Sequence, residues 1–236
     1  MDWKEHLRGD SLAWLLEAAD PGVRYLALRD LEDAPATSAA LRTARRAAHR
    51  DGPIAALLDQ MEQEGYWVES GHGYNPKYRT TVWGITLLAQ LGGSLKEDAR
   101  IGRACASVLD NALAEGGQFS ANGAPSGTTD CLQGNLCWAL LELGCEDTQL
   151  EKAFEWMARS VTGEGVSPAS DRAAAVRYYA TKCGPTFACG SNNRLPCAWG
   201  AAKVMLALGK WPRERRTTIM KRAVRHGVDF LFSVDP

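Results

Sequence analysis

Cys131-Leu-Gln-Gly-Asn-Leu-Cys-Trp-Ala-Leu-Leu-Glu-Leu-Gly144 decides how the rest of the chain is read. It opens on a small residue, carries glycine three positions on, and closes on Leu-Gly, a helix C-cap signal. Two other segments share this shape: Thr81-Val-Trp-Gly-Ile-Thr-Leu-Leu-Ala-Gln-Leu-Gly92 and Cys197-Ala-Trp-Gly-Ala-Ala-Lys-Val-Met-Leu-Ala-Leu-Gly209. The early glycines, Gly84, Gly134 and Gly200, fall 50 and then 66 residues apart. Each leaves one helix face bare, for close packing or for a clear cavity wall. After each segment comes a short polar link and a second helical stretch, at residues 101–113, 150–161 and 218–232. The longer second interval holds an insertion, with residues 171–179 and a cysteine-containing loop.

Helical hairpins repeating about every 50 residues describe an α/α solenoid or a closed α/α toroid. The glycine-bearing helices suit the inner ring, and the charged stretch 213–225 suits the outer one. Between hairpins lie loops rich in glycine and aromatics: Glu64-Gly-Tyr-Trp67, Glu115-Gly-Gly-Gln-Phe119 and Gly163-Glu-Gly-Val166.

Upstream, the pattern stays helical. Residues 11–20 form a short first helix, and Asp20-Pro21 reads as an N-cap followed by proline at the first helical position. Residues 38–50 form a helix with a basic, solvated face of Arg42, Arg45, Arg46 and Arg50. Gly52-Pro53 breaks it, and residues 54–64 form the next. No stretch alternates as a strand does. The fold expected is all-α, one toroid domain over residues 1–236, complete or open where C-terminal hairpins are lacking.

Composition sets limits on function. The chain has 236 residues and a mass of 25.6 kDa, with 45% apolar and 23% charged residues, which suits a globular domain with a sizeable core. Net charge is −1 with no basic block, so no nucleic-acid partner is expected. The start is charged and lacks an apolar core, unlike a secretory signal, and no run reaches the ~18 apolar residues of a membrane span. Seven cysteines, an odd count, point to reduced thiols in a cytoplasmic protein. Cys105 and Cys145 read as small buried hydrophobes.

Several segments carry a resemblance. Gln60-Met-Glu-Gln-Glu-Gly-Tyr-Trp67 resembles a degenerate glutamine–tryptophan repeat of squalene–hopene cyclases, and the hairpins resemble terpenoid cyclases and protein prenyltransferase β-subunits. Residues 20–236 also look like bacterial proteins described as squalene-cyclase-like or prenyltransferase-like. That likeness is carried by Gly73-Tyr-Asn-Pro-Lys-Tyr-Arg-Thr-Thr-Val-Trp83, Pro125-Ser-Gly-Thr-Thr-Asp-Cys-Leu-Gln-Gly-Asn-Leu136 and Cys183-Gly-Pro-Thr-Phe-Ala-Cys-Gly-Ser-Asn-Asn-Arg-Leu-Pro-Cys-Ala-Trp-Gly200. The resemblance implies a central cavity for an apolar, isoprenoid-like small molecule and cyclisation or transfer chemistry. Two departures stand against a full match. The Asp-x-Asp-Asp motif with which hopene-type cyclases protonate is missing. The Asp-x-Cys zinc pair of prenyltransferases is replaced by adjacent Asp130 and Cys131. The chain is also short for six hairpins.

Three groups of residues are candidates for chemistry. Cys131, Cys183, Cys189 and Cys197 form the first; with Asp130 or His72 they are suitable zinc ligands. Cys131 and Cys197 read as equivalent starts of two inner helices, although the spacings Cys-x5-Cys and Cys-x7-Cys are not those of a zinc ribbon or knuckle, and buried thiols under a tight loop are the plain alternative. Cys137 reads as core. The second candidate is acid catalysis by Asp130, with His72, Glu69 and Asp171 as alternatives. Asp130 as an ordinary helix N-cap is the plain reading, and a proton donor would need burial to raise its pKa. His6, His49 and His226 read as surface residues. The third group is aromatic: Tyr74, Tyr78, Trp83, Tyr178, Tyr179, Phe187 and Trp199 would line an apolar site and steady a cation, or else brace the hairpins. Trp3, Trp14, Trp156 and Trp211 read as packing.

With no Gly-x-Gly-x-x-Gly, P-loop or Gly-x-Ser-x-Gly motif, nucleotide cofactors and serine-hydrolase chemistry are not expected. Two other functions fit the same residues: a non-catalytic binding module on a toroid scaffold, and a metal-dependent enzyme unrelated to terpenes.

Overall fold

The computed structural model describes residues 3–17, 19–167, 170, 171, 173 and 182–233. These residues form an all-α protein with one minimal sheet. The helices are α1 Ser11–Leu15, α2 Pro21–Asp30, α3 Ala39–Arg50, α4 Pro53–Asp59, α5 Thr81–Gln90, α6 Ala99–Asn111, α7 Asp130–Glu142, α8 Thr148–Thr162, α9 Ala198–Lys210 and α10 Thr218–Ser233. None of them is long and apolar enough to cross a membrane.

Helix starts follow local chemistry. The first backbone N–H groups of a helix lack internal partners, and short oxygen-bearing side chains fill the gap. Asp20 accepts from Gly22 and Val23 with Pro21 behind it, Ser38 from Leu41, Asp98 from Arg100, Thr129 from Leu132 and Asp147 from Gln149. α8 stops on Gly163, whose left-handed backbone at φ 71° suits a residue without a β-carbon.

Some boundaries differ from the sequence reading. The first helix ends at Leu15 rather than at residue 20. α4 ends at Asp59, because residues 62–66 form a turn instead: Gly65 N–H donates to Glu62 O and Glu62 N–H to Tyr66 O. Gly65 sits at φ 90°, where an added β-carbon would lie 2.3 Å from the carbonyl oxygen of Arg103. The charged stretch after α9 opens with a separate 3₁₀ turn, Arg213–Arg215. In the insertion, β1 (Ala188–Cys189) pairs antiparallel with β2 (Leu195–Pro196), Ala188 opposite Pro196 and Cys189 opposite Leu195. Four paired residues are too few to show alternation.

The hairpins stack in chain order. α5 packs on α7 and α7 on α9 to make the inner row, while α8 packs on α10 outside them. α2 packs on α3, and α4 leads onto α5. Among the described residues, none of the extensive helix contacts joins α9 or α10 back to α1–α4. Between the rows lies the core, including fully buried Phe119, Phe154, Leu136, Leu140 and Ile85.

The three early glycines serve close packing. An added β-carbon would lie 2.8 Å from the ring of Trp67 at Gly84 and 2.4 Å from the main chain of Lys203 at Gly134. At Gly200 it would lie 3.2 Å from the Asp130 β-carbon. Trp67, the tryptophan of the motif that resembles the cyclase repeat, is buried and donates from Nε1 to Leu57 O at 2.9 Å. It braces two helices.

Gln133 joins the rows by hydrogen bonds. Its Oε1 accepts from Phe119 N–H at 2.8 Å and its Nε2 donates to Ala153 O at 3.1 Å. One buried amide thus connects α7, the loop before it and α8.

Candidate functional site

α7 is flanked by α5 and α9 and backed by α8, so only one stripe of it remains open: Cys131, Asn135, Trp138 and Glu142, at helical spacing. Matching stripes run along its neighbours. On α5 they are Trp83, Leu87 and Gln90, and on α9 Trp199, Lys203, Leu206 and Lys210. Together they make the inner face. Leu87 is 44%, Leu206 47% and Trp199 65% exposed, which is unusual for such large apolar side chains. At the C-terminal end of this face, Glu142 pairs with both Arg29 of α2 and Lys210 of α9.

Asp130 sits at the N-terminal end, where the starts of the inner helices meet. The cap of α7 is Thr129, not Asp130, which is the first helical residue. Its side chain is 4% exposed, and Oδ2 is buried with no hydrogen-bond partner. Burial pushes its carboxyl well above the usual carboxylate range. Gly200 of α9 packs close by: a β-carbon added there would stand 3.2 Å from that of Asp130.

Cysteines gather nearby. From the β-carbon position of Gly200, Cys131 N is 3.8 Å away and Cys197 Cβ 4.0 Å. Cys131 contacts Thr129 Oγ1 through Sγ at 3.4 Å, and its thiol is raised by burial, with Cys189 and Asp130 adding to the rise. Cys197 N–H donates to Phe187 O at 3.0 Å, and Cys183 is buried. Cys131 and Cys197 are not at equivalent heights, since Cys197 is the cap residue of α9 while Cys131 lies inside the first turn of α7.

Among the described residues, no three His, Cys, Asp or Glu side chains are placed to hold a metal ion. No step below runs through a metal held by Cys131, Cys183, Cys189 and Cys197.

The other candidates divide. His72 is exposed and bonds through Nδ1 to Asn111 O at 2.5 Å, with its ring over Gly123. It fastens its loop to the end of α6, and its polar contact does not go to Asp130. Glu69 is exposed, and exposed Asp171 accepts from Ala173 N–H. Tyr74, Tyr78 and Trp83 form one aromatic group: Trp83 lies 5.4 Å from Tyr74 and 4.8 Å from Tyr78 between centroids, and its Nε1 donates to Tyr74 O at 2.9 Å. Trp199 stands on the inner face with Lys203 Nζ 4.6 Å from its ring. Phe187 does not line a site; it is fully buried against Phe230 at 4.7 Å. Tyr178 and Tyr179 lie outside the described residues, as does the side chain of Trp3. Trp156 and Trp211 are buried as packing residues, whereas Trp14 is exposed.

Some readings change. His49 is buried, with Nδ1 on Arg45 O at 2.7 Å and Nε2 on Ser94 N–H at 3.0 Å. His226 is half-buried and reaches Pro185 O through Nε2 at 2.6 Å. Gln133 and the pair Cys105–Cys145 escaped notice. A lone glutamine in an apolar helix was the available signal for the first; nothing in the spacing signalled the second.

No protein-family model, curated protein or solved structure matches this chain.

Proposed function

We propose that the inner face binds an extended apolar, isoprenoid-like molecule and that Asp130 acts on it as a proton donor. The observation that carries this reading is the buried, unpartnered Asp130 carboxyl at the end of a face that exposes Leu87, Trp199 and Leu206. An aspartate at neutral pH is ordinarily a carboxylate and can only accept protons. Burial under Gly200 favours its neutral form, which can donate. Protonation of a carbon–carbon double bond would leave a carbocation on the ligand and a carboxylate on Asp130. Trp83 and Trp199 then offer ring faces to that cation.

The test uses squalene and geranylgeraniol in mild detergent. Tryptophan fluorescence reads binding, and gas chromatography with mass detection reads products. Trp199→Ala weakens binding about tenfold, whereas Asp130→Asn keeps binding and abolishes product. Unchanged product formation by Asp130→Asn removes the acid role.

A second reading rests on the openness of the same face. Leu87, Trp199 and Leu206 are exposed to solvent rather than enclosed in a cavity. Such a surface suits an amphipathic partner segment, and function does not follow from fold alone. Absence of binding to either lipid, with loss of a co-purifying protein in Trp199→Ala, favours this reading.

A further inference from the structure

Away from the inner face, two cysteines that sequence analysis set aside as inert share one cavity. Cys105 lies on α6 and Cys145 in the turn after α7. Leu95 N–H donates to Leu143 O at 3.0 Å, and Cys145 N–H closes the end of α7 on Leu140 O at 2.9 Å. These bonds pin the turn at residues 143–145 beside the link into α6. There α6 presents Gly102, Cys105, Ala106 and Leu109, at the three- and four-residue steps of one helix face. The cavity between them is about 480 Å³ and opens to solvent. Glycine on both walls keeps it clear: a β-carbon at Gly102 meets nothing within 4 Å, and one at Gly144 meets only the Leu95 side chain.

We propose that Cys105 and Cys145 form a peroxide-reactive dithiol that closes reversibly to a disulfide. Both thiols line the cavity, and each is the largest influence on the other's proton. Cys145 is the less buried of the two, and its neighbour Cys105 holds its thiol below the ordinary value, so Cys145 is the nucleophile. Glu146 and Asp147 oppose this effect on Cys145, and Lys96 also lines the cavity.

The chemistry balances without a cofactor. The Cys145 thiolate attacks one oxygen of hydrogen peroxide. A sulfur–oxygen bond forms, the oxygen–oxygen bond breaks, and hydroxide leaves with the thiol's proton as water. Cys105 sulfur then attacks the sulfenic sulfur. The disulfide forms, the sulfur–oxygen bond breaks, and a second water leaves with the Cys105 proton. The two sulfurs lose two electrons and peroxide gains them. A thiol reductant reverses the change by exchange.

The experiment treats the full chain with a small excess of hydrogen peroxide, alkylates free thiols, and digests with a glutamyl endopeptidase. Cleavage after Glu97, Glu115, Glu142 and Glu146 separates Cys105 from Cys145 and both from Cys131 and Cys137. The expected product is peptide 98–115 joined to peptide 143–146, two hydrogens lighter than their sum and restored by dithiothreitol. In Cys105→Ser, Cys145 instead stops as a sulfenic acid that dimedone traps. Cys105 and Cys145 both remaining alkylatable while Cys131, Cys189 or Cys197 oxidises overturns the proposal. The wild-type digest decides this even if a variant fails to fold.

Discussion

Gly200 of α9 lies so close to Asp130 of α7 that an added β-carbon would stand 3.2 Å from the aspartate's own. One missing side chain therefore lets α9 pack directly against the aspartate of another helix. The electrostatic character of Asp130 belongs to the α7–α9 contact as much as to its own helix.

A stability prediction follows directly. The folded pKa of Asp130 is raised above that of the unfolded chain, so the folded state holds a proton that the unfolded state releases above about pH 4. The contribution is fully present below the unfolded value and is lost as pH rises through the folded one. Each unit of separation is worth about 1.4 kcal/mol. Asp130→Asn, close in shape and always neutral, is expected to flatten this dependence and to unfold at higher denaturant than wild type at pH 8. Urea melts at pH 4.5, 6 and 8 read it; parallel slopes for both proteins would contradict the buried acid.

Gly134 and Gly102 make opposite predictions for the same substitution. Gly134→Ala drives a β-carbon to 2.4 Å from the α9 main chain, which cannot move aside as a side chain can. A loss of roughly 3 kcal/mol is expected. Gly102→Ala meets open space in mid-helix and is expected to gain up to about 1 kcal/mol from helix propensity. Equal effects in chemical denaturation would mean that α7 and α9 are not in this contact.

Gln133→Leu removes one amide and leaves two buried partners unmet, Phe119 N–H and Ala153 O. Each orphaned group costs about 1–3 kcal/mol. We expect a loss of roughly 3 kcal/mol, together with faster hydrogen exchange at Phe119. Exchange at Phe119 as slow as in wild type would show that the amide is not its partner.

The tryptophans divide by location. Trp67→Ala empties a buried site against Gly84 and should cost about 3–5 kcal/mol. Trp199→Ala removes an exposed ring and is expected to change stability by less than about 0.5 kcal/mol. Thermal melts compare the two; a large loss at Trp199 would make it packing rather than binding surface.

Much of the architecture is legible in the chain because its signals are local. Asp20-Pro21 marks a helix start through its own side chain, and Leu-Gly closes α5 and α7, whereas α9 runs past Leu208-Gly209 to Lys210. The site was less legible because its properties arise between distant segments. The raised carboxyl of Asp130 comes from burial, which depends on what the fold packs around it. Phe187, read as a wall of the site, turns inward onto Phe230. The glycine register that equates Cys131 with Cys197 fixes where helices touch but not where they begin, and the cap residues Thr129 and Cys197 fall out of step with it. The link between Cys105 and Cys145 depends on how two hairpins stack, which spacing does not encode.

Adjacent hairpins meet partly through main chain: Leu95 N–H on Leu143 O, and the bare Gly134 against the α9 backbone. Contacts of that kind do not depend on which side chains the neighbours carry. A hairpin of this design can be copied and its surface rewritten without losing its seat, provided one glycine survives where backbones touch. That leaves the inner face free to acquire new chemistry from copy to copy, as the threonine, aspartate and cysteine at the starts of α5, α7 and α9 illustrate.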